Sequence, residues 1–178
     1  MDADGCLTIR PKGGADFGAL PDSFDSAVAP WCDDDCRQHI KSVYVSKGVK
    51  ASQYSRGLFA QLSSAESMDV SNLDVSSAID LGCMFELCSS LTSLNVSGWD
   101  TSSAKNMEAM FYGCSSLASL DISSFVASES TKTTSIFEAC SNLGQISVGD
   151  SFDLCAVALE PSQIEGWTGN WVDQSGNI

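Results

Sequence analysis

Apolar residues recur through the middle of the chain with a period of 26 residues. In each unit, aliphatic residues at relative positions one, four and six alternate with small polar residues, which predicts a short strand with one inward face. A weaker copy lies upstream at Phe59, and an earlier one at Ile40 is one residue out of step. The aliphatic columns are Leu91, Leu117 and Leu143; Leu94, Leu120 and Ile146; and Val96, Ile122 and Val148.

Each unit also carries aromatic, methionine and cysteine residues at fixed positions after the strand. One unit cannot bury its own apolar face, but stacked units form a continuous core. We therefore predict an α/β fold: a right-handed, leucine-rich-repeat-like solenoid with a parallel sheet of four or five short strands and short helical or irregular returns. The predicted core residues are Phe85, Cys88, Leu94, Trp99, Met110, Phe111, Cys114, Leu120, Phe125, Phe137 and Cys140.

The ends of the chain lack the period and predict capping segments. Residues 1–39 are interpreted as an N-terminal cap with a strand-like Leu7–Ile9, a short helix near Pro30, and Trp31 over the open end of the first coil. Residues 40–150 carry the repeats. Residues 151–178 are interpreted as a C-terminal cap or as a linker to a further domain.

Charge is distributed unevenly and disfavours several classes of partner. The net charge is −14, and 15 acidic residues beyond Arg56 face only Lys105 and Lys132. Such a surface repels nucleic acid and anionic membranes. The chain has no apolar stretch long enough for a transmembrane helix. The start of the chain lacks the regions of a signal peptide, so we expect a secreted form to be a fragment of a longer precursor.

The eight cysteines fall into two groups. Cys88, Cys114 and Cys140 stand in the repeat and are predicted to be buried thiols that act as small hydrophobes. An extracellular setting permits disulfides among the others, whose connectivity the sequence leaves open. With His39 as the only histidine, we predict no metal site and no cofactor. The possible disulfide cysteines are Cys6, Cys32, Cys36, Cys83 and Cys155.

The outward strand positions are the candidate binding surface, and no catalytic residue is predicted. Asp69 and Asp121 recur in one repeat column, as solvent-facing positions do, which makes a glycoside hydrolase based on repeat carboxylates the least favoured alternative. Tyr44 is the only aromatic residue on this face, so a protein partner of basic character is favoured over a sugar. The predicted binding residues are Tyr44, Ser67, Asp69, Ser93, Asn95, Ser119, Asp121 and Gln145.

Two stretches of the repeat resemble a known family. Leu91–Ser102 and Asn106–Leu117, with Met-Phe-Tyr-Gly-Cys-Ser-Ser-Leu at the end of the second, resemble the BspA-like leucine-rich-repeat bacterial surface proteins. Ile136–Cys140 and Phe125–Ser128 depart from that pattern. The resemblance implies display on a bacterial cell surface, attachment to a host extracellular or matrix protein, and no catalytic residues.

We expect the chain to act as a monomeric part of a larger surface protein, without insertion into a membrane. The alternative function, from a different class, is a passive structural spacer that projects another domain from the cell surface.

Overall fold

The computed structural model describes residues 1–11, 18–20, 31 and 34–152. Over these residues the chain forms a β-solenoid of about four turns, with parallel strands and one short helix. The solenoid and its parallel sheet, predicted from the 26-residue period, are confirmed. We number the coils by their strands: coil 1 is residues 42–66, coil 2 is 67–92, coil 3 is 93–118 and coil 4 is 119–144.

One strand of each coil lies on the same side of the solenoid, and the strand of the N-terminal segment joins them. Four strands form a sheet in the order β1-β3-β5-β6, while β7 pairs with β8 and β2 with β4 in separate sheets. The shift of register is 25 residues from Ser42 to Ser67 and 26 residues from Ser67 to Ser93, which accounts for the upstream repeat being out of step. The elements are β1 (Cys6–Ile9), β2 (Gly18–Ala19), α1 (Asp34–His39), β3 (Ser42–Val45), β4 (Val49–Lys50), β5 (Ser67–Asp69), β6 (Ser93–Asn95), β7 (Ser119–Ile122) and β8 (Gln145–Val148).

The return segments that lead from one strand to the next are turns, with no helix among the described ones. Two residues in each return, four apart, have positive φ, which interrupts the run of right-handed residues that a helix requires. Alternate amides of the return then donate to the next coil, as Phe85 does to Met110 at 2.9 Å. The two positive-φ columns are Gly57, Cys83, Ala109 and Ser135, and Gln61, Leu87, Gly113 and Ala139.

Stacked aromatic rings fill the interior behind the returns. Trp31 lies on Phe59 at a centroid distance of 5.9 Å, so it covers the N-terminal end of the ring stack. Phe85 contacts three rings, those of Phe59, Phe111 and Trp99, at 5.6–6.0 Å. Such offset pairs add about 0.5–1.5 kcal/mol each to the burial of their surface. The stack therefore ties adjacent coils together.

The predicted core is confirmed for all its members except Leu94, which is partly buried. The repeat cysteines also do more than fill space. Cys88, Cys114 and Cys140 are fully buried, and their thiols donate to the carbonyl oxygens of Phe59, Phe85 and Phe111 at 3.0–3.2 Å. Each thiol thus supplies a hydrogen bond to a buried carbonyl of the preceding coil.

The expectations for the N-terminal cap fall partly outside the described residues. Leu7–Ile9 lies within β1, which pairs in parallel with β3. The helix begins at Asp34, whereas Pro30 lies outside the described range. The segment assigned to a C-terminal cap is described only as far as Phe152. No helix in the described residues is long and apolar enough to cross a membrane.

Candidate functional site: the outer sheet face

A row of outward side chains crosses the four-stranded sheet in register. Thr8 is the partner of Tyr44, Tyr44 of Asp69, and Asp69 of Asn95. We call these four residues the outer row. Side chains at equivalent positions of adjacent parallel strands are neighbours, because strands lie about 4.8 Å apart. The sheet therefore brings together three of the predicted binding residues, and it adds Thr8, which sequence analysis assigned only to the cap.

The Asp and Asn members of the outer row also hold the backbone turn that follows each strand. The Oδ1 atom of Asp69 accepts hydrogen bonds from the backbone N of Ser71 at 3.2 Å and from its hydroxyl at 2.7 Å. Asn95 accepts from the Ser97 backbone at 3.1 Å, and Asp121 accepts from Ser123 in the same way at 2.9 Å. These are Asx turns, in which a side chain caps its own backbone two residues later.

Neighbouring coils are joined by the same side chains. Asn95 donates through Nδ2 to Asp69 at 3.1 Å, so Asp69 is half-buried although it was predicted to be exposed. Asn106 donates to Asp80 at 2.9 Å in an equivalent arrangement on the return side. These three hydrogen bonds, from the Ser71 backbone and hydroxyl and from Asn95, all end on Oδ1 of Asp69 and tie that atom to the fold. Asp69 thus has a structural role in addition to its negative charge.

Two further Asx columns were missed by sequence analysis. Asp74 and Asp100 accept from the backbones of Ser76 and Ser102 at 3.1 and 3.0 Å. Asp80 accepts from Gly82 at 2.9 Å. The recurrent pattern Asp-x-Ser was a signal in the sequence for the turns at Asp74 and Asp100, whereas the turn at Asp80 lacks it. Most acidic residues of coils 2 and 3 therefore stand at the corners of the solenoid.

Hydrogen bonds at these corners set the electrostatics of the acidic residues. The Ser76 hydroxyl holds the pKa of Asp74 below its ordinary value of 3.8, with a smaller contribution from Lys50, whose Nζ lies 3.1 Å from Asp74 Oδ2. The backbone N–H of Ser123 likewise lowers the pKa of Asp121. Both carboxylates stay ionised at neutral pH, so Asp121 keeps its negative charge on the outer face and Asp74 keeps its charge at the corner.

Tyr44 differs from the other members of its column. Asp69, Asn95 and Asp121 occupy the equivalent positions and close turns, whereas a tyrosine cannot form an Asx turn. Tyr44 is 43% exposed, more than any other aromatic residue of coils 1 to 4. Beside it, Thr8 lines a shallow depression of about 300 Å³ together with Asp2 and Arg10. A large aromatic group next to a depression is a typical anchor for a protein partner.

The predicted serine positions are exposed but fall on two separate sheets. Ser67 and Ser93 are exposed on the four-stranded sheet, and Ser119 and Gln145 are exposed on the sheet of β7 and β8. No ladder joins β6 to β7 in the described structure. The binding surface predicted as one continuous face is therefore divided into two panels.

The described cysteines form no disulfide with one another. Cys6 and Cys83, both proposed from the sequence as bridge partners, are free thiols. Cys32 and Cys155 lie outside the described residues. Burial raises the pKa of Cys83 to about 11 and that of Cys88 to about 12. Burial also raises the pKa of Cys114 and brings that of Cys140 to about 12, which keeps these thiols protonated and unreactive.

Other candidate sites have little support in the described part of the chain. No group of three or more His, Cys, Asp or Glu residues there could hold a metal ion. A second depression, of about 280 Å³, is lined by Arg37, Gln38, Gln61, Ser63 and Leu87. Neither depression contains the pair of carboxylates that a glycoside hydrolase requires.

Comparison with known proteins identifies a family for the greater part of the chain. No curated protein and no solved structure has significant similarity to it. Residues 50–158, which include most of coils 1 to 4, match the family described as "Mycoplasma protein of unknown function, DUF285". Since this match covers more than half of the 178 residues, the chain belongs to that family.

Proposed function

We propose that this protein is an extracellular binding module of the BspA-like leucine-rich-repeat type, which presents its outer sheet face to a host or matrix protein. The supporting features are the Met110–Leu117 motif, the 26-residue period and the row of small polar side chains on one face of the solenoid. The module acts as a monomeric part of a larger protein on a bacterial cell surface, and its role is binding and not catalysis.

The observation that carries this proposal is the exposed Tyr44 in a column where Asp69, Asn95 and Asp121 close turns. Asp69, Asn95 and Asp121 in this column each close a turn, a use that a tyrosine cannot share, so the Asx turns of the solenoid do not account for a tyrosine there. Large, rigid aromatic side chains supply much of the energy of protein interfaces. Tyr44 is therefore the anchor of the binding surface.

The chemistry on the Asp69 side of Tyr44 favours a basic segment of the partner. Asp69 lies beside the tyrosine in register, and Asp121 adds negative charge on the second panel. An arginine or lysine over the ring of Tyr44 would gain a cation–π interaction in addition to this attraction. The charges mainly accelerate association, whereas the aromatic contact sets the lifetime of the complex.

A binding screen tests the proposal. The protein is presented to an array of extracellular matrix and host surface proteins at physiological salt, and hits are measured again at higher salt. We expect a saturable, salt-sensitive interaction with a basic protein. Tyr44→Ala should weaken that interaction by about tenfold or more, as loss of an interface anchor does.

Tyr54→Ala is the matched control, because Tyr54 is 38% exposed but pairs with Asp80 on the return side of the solenoid. It should leave the affinity unchanged. Asp69→Ala is unsuitable as a probe, since it would also open the turn at Ser71. If the Tyr44→Ala variant binds a partner from the screen as tightly as the unmodified protein does, the assignment of this face is contradicted.

The second candidate function is a passive spacer, which the internal use of Asp69 and Asn95 favours. If the outer row exists only to close turns, the sheet face has no ligand and the solenoid sets a distance between other parts of a surface protein. The array then gives no hit that depends on Tyr44. Under this alternative, neither Tyr44→Ala nor Tyr54→Ala changes the result of any binding assay.

A further inference from the structure

The parallel ladder that joins the strands is interrupted between coils 3 and 4. Between coils 2 and 3, the backbone N of Val70 donates to Asn95 at 3.1 Å and that of Thr92 donates to Glu66 at 2.9 Å. The equivalent amides of the next pair, Val96 and Ala118, have no such backbone acceptor among the described residues. β6 and β7 are thus neighbours without being hydrogen-bonded strands.

The interruption is confined to the strand side of the solenoid. On the return side, Met107 donates to Lys132 at 2.7 Å and Phe111 donates to Ile136 at 3.0 Å. At the corner after the strand, Thr101 and Val126 exchange two hydrogen bonds of 2.8 and 3.0 Å. Coils 3 and 4 are therefore held together by hydrogen bonds on the return side and at the corner after the strand, but not between β6 and β7.

One inward side chain of β6 is less buried than its equivalents in β5 and β7. Met68 and Leu120 point inward from β5 and β7 and are 2% and 3% exposed. Leu94, at the equivalent position of β6, is only partly buried. An aliphatic side chain next to an unpaired strand gains apolar burial if the strands close, which favours the closed arrangement.

The corner of coil 3 differs from those of its neighbours. Gly98 has a φ of +79°, while Asn72 and Ser124, the equivalent residues of coils 2 and 4, do not have positive φ. Next to it, Trp99 is larger than Leu73 and Phe125 at the same position. Its indole Nε1 donates to the carbonyl oxygen of Val70 at 2.9 Å, so the large ring is fixed towards coil 2 behind β6.

We propose that the solenoid contains a hinge between β6 and β7, produced by the Gly98–Trp99 corner. The return ladder from Met107 to Gly113 is the axis, and the strand side opens and closes about it. The N-terminal panel, with Tyr44, Asp69 and Asn95, moves as one body, and the C-terminal panel, with Asp121 and Gln145, as another. This inference stands on backbone geometry and does not depend on the proposed function.

Amide hydrogen exchange of the unmodified protein, resolved by residue with NMR, tests the hinge. Val96 and Ala118 should exchange about tenfold or more faster than Val70 and Thr92, their equivalents one coil earlier, although all four lie in the middle of the solenoid. The amides of Met107 and Phe111 should be protected like those of Val70. Equal protection of Val96 and Val70 would overturn the proposal.

Trp99→Phe tests the cause that we assign. Phenylalanine already occupies this position in coil 4, so the substitution keeps the ring stack with Phe125 while it removes the bond to Val70. We expect the exchange of Val96 to slow towards that of Val70. Unchanged fast exchange in a folded Trp99→Phe protein would refute the role of this corner, and Tyr54→Ala provides a control that alters neither strand.

Discussion

Replacement of Ala109 by glycine should stabilise the protein, although glycine usually weakens regular structure. Ala109 has a φ of +53° in the return of coil 3. A residue with a Cβ in this left-handed region loses about 1–2 kcal/mol, which glycine does not. Glycine in turn costs about 0.5–1 kcal/mol of additional backbone entropy on folding. The difference predicts a net gain of about 0.5–1 kcal/mol.

Two control substitutions in the same coil fix the sign of this effect. Ala118→Gly changes an exposed alanine without positive φ, so only the entropy term applies and about 0.5–1 kcal/mol should be lost. Gly113→Ala adds a Cβ at a φ of +72° and places it 2.7 Å from the movable Cδ2 of Leu87, which should cost about 1–2 kcal/mol.

Urea unfolding followed by circular dichroism, together with thermal unfolding, measures all three variants. For a chain of this size, 1 kcal/mol corresponds to a shift in Tm of about 2–4 °C. Ala109→Gly should raise the midpoint, and the other two variants should lower it. If Ala109→Gly were as destabilising as Ala118→Gly, the left-handed return would not exist as described.

Three other predictions concern the corners and the core. The free energy of unfolding should be constant from neutral pH to about pH 5 and fall below about pH 4. A carboxyl whose folded pKa is lowered stabilises the fold above its unfolded pKa and loses that contribution as acid protonates it. Asp74→Asn should slightly reduce this sensitivity to acid, as measured by urea titrations at several pH values. In the native protein, Cys88 should resist thiol reagents at pH 8 because burial raises its pKa to about 12, and peptide mapping should show Cys6 labelled before Cys88; equal labelling rates of these two would contradict the buried column. Phe85→Leu should cost more than Phe59→Leu in urea unfolding, by about 0.5–1.5 kcal/mol, because Phe85 contacts three rings and Phe59 two; equal losses would show that ring stacking adds nothing to burial.

The strands and their order could be predicted because strand alternation and the 26-residue period report burial directly. Met68, Leu120 and Ile122 are inward as the pattern requires. Sequence position also identified the column of Asp69, Asn95 and Asp121 on the outer side. It did not show what these side chains do, because the Asx turn competes with exposure as an explanation for the same residue types.

The conformation of the returns could not be predicted from residue type. Gly57 and Gly113 hint at positive φ, but Cys83 and Leu87 occupy equivalent positions and nothing in their chemistry favours a left-handed backbone. Stacking on the neighbouring coil imposes that conformation, so tertiary contacts override local preference. The helical alternative for the returns is absent from the described coils for the same reason.

The interruption between β6 and β7 left no signal in the strand sequences. Ser93–Val96 and Ser119–Ile122 have the same pattern of polar and aliphatic residues and predict the same pairing. Trp99 was identified only as a core residue, although it is the largest member of its column. Its effect depends on the conformation of Gly98, which the sequence does not specify.

The Asx corners make the solenoid a polyelectrolyte by construction. Coil 2 uses Asp69, Asp74 and Asp80 to close its turns, and coil 3 uses Asn95, Asp100 and Asn106 at the same positions. Asparagine serves the turn as well as aspartate does, so the charge of each coil can vary while its geometry stays fixed. A rod of such coils would stiffen by self-repulsion at low ionic strength and relax as the Debye length shortens. Exchange between Asp and Asn at the corners therefore offers a means of adjusting the charge density and stiffness of the rod without altering its shape.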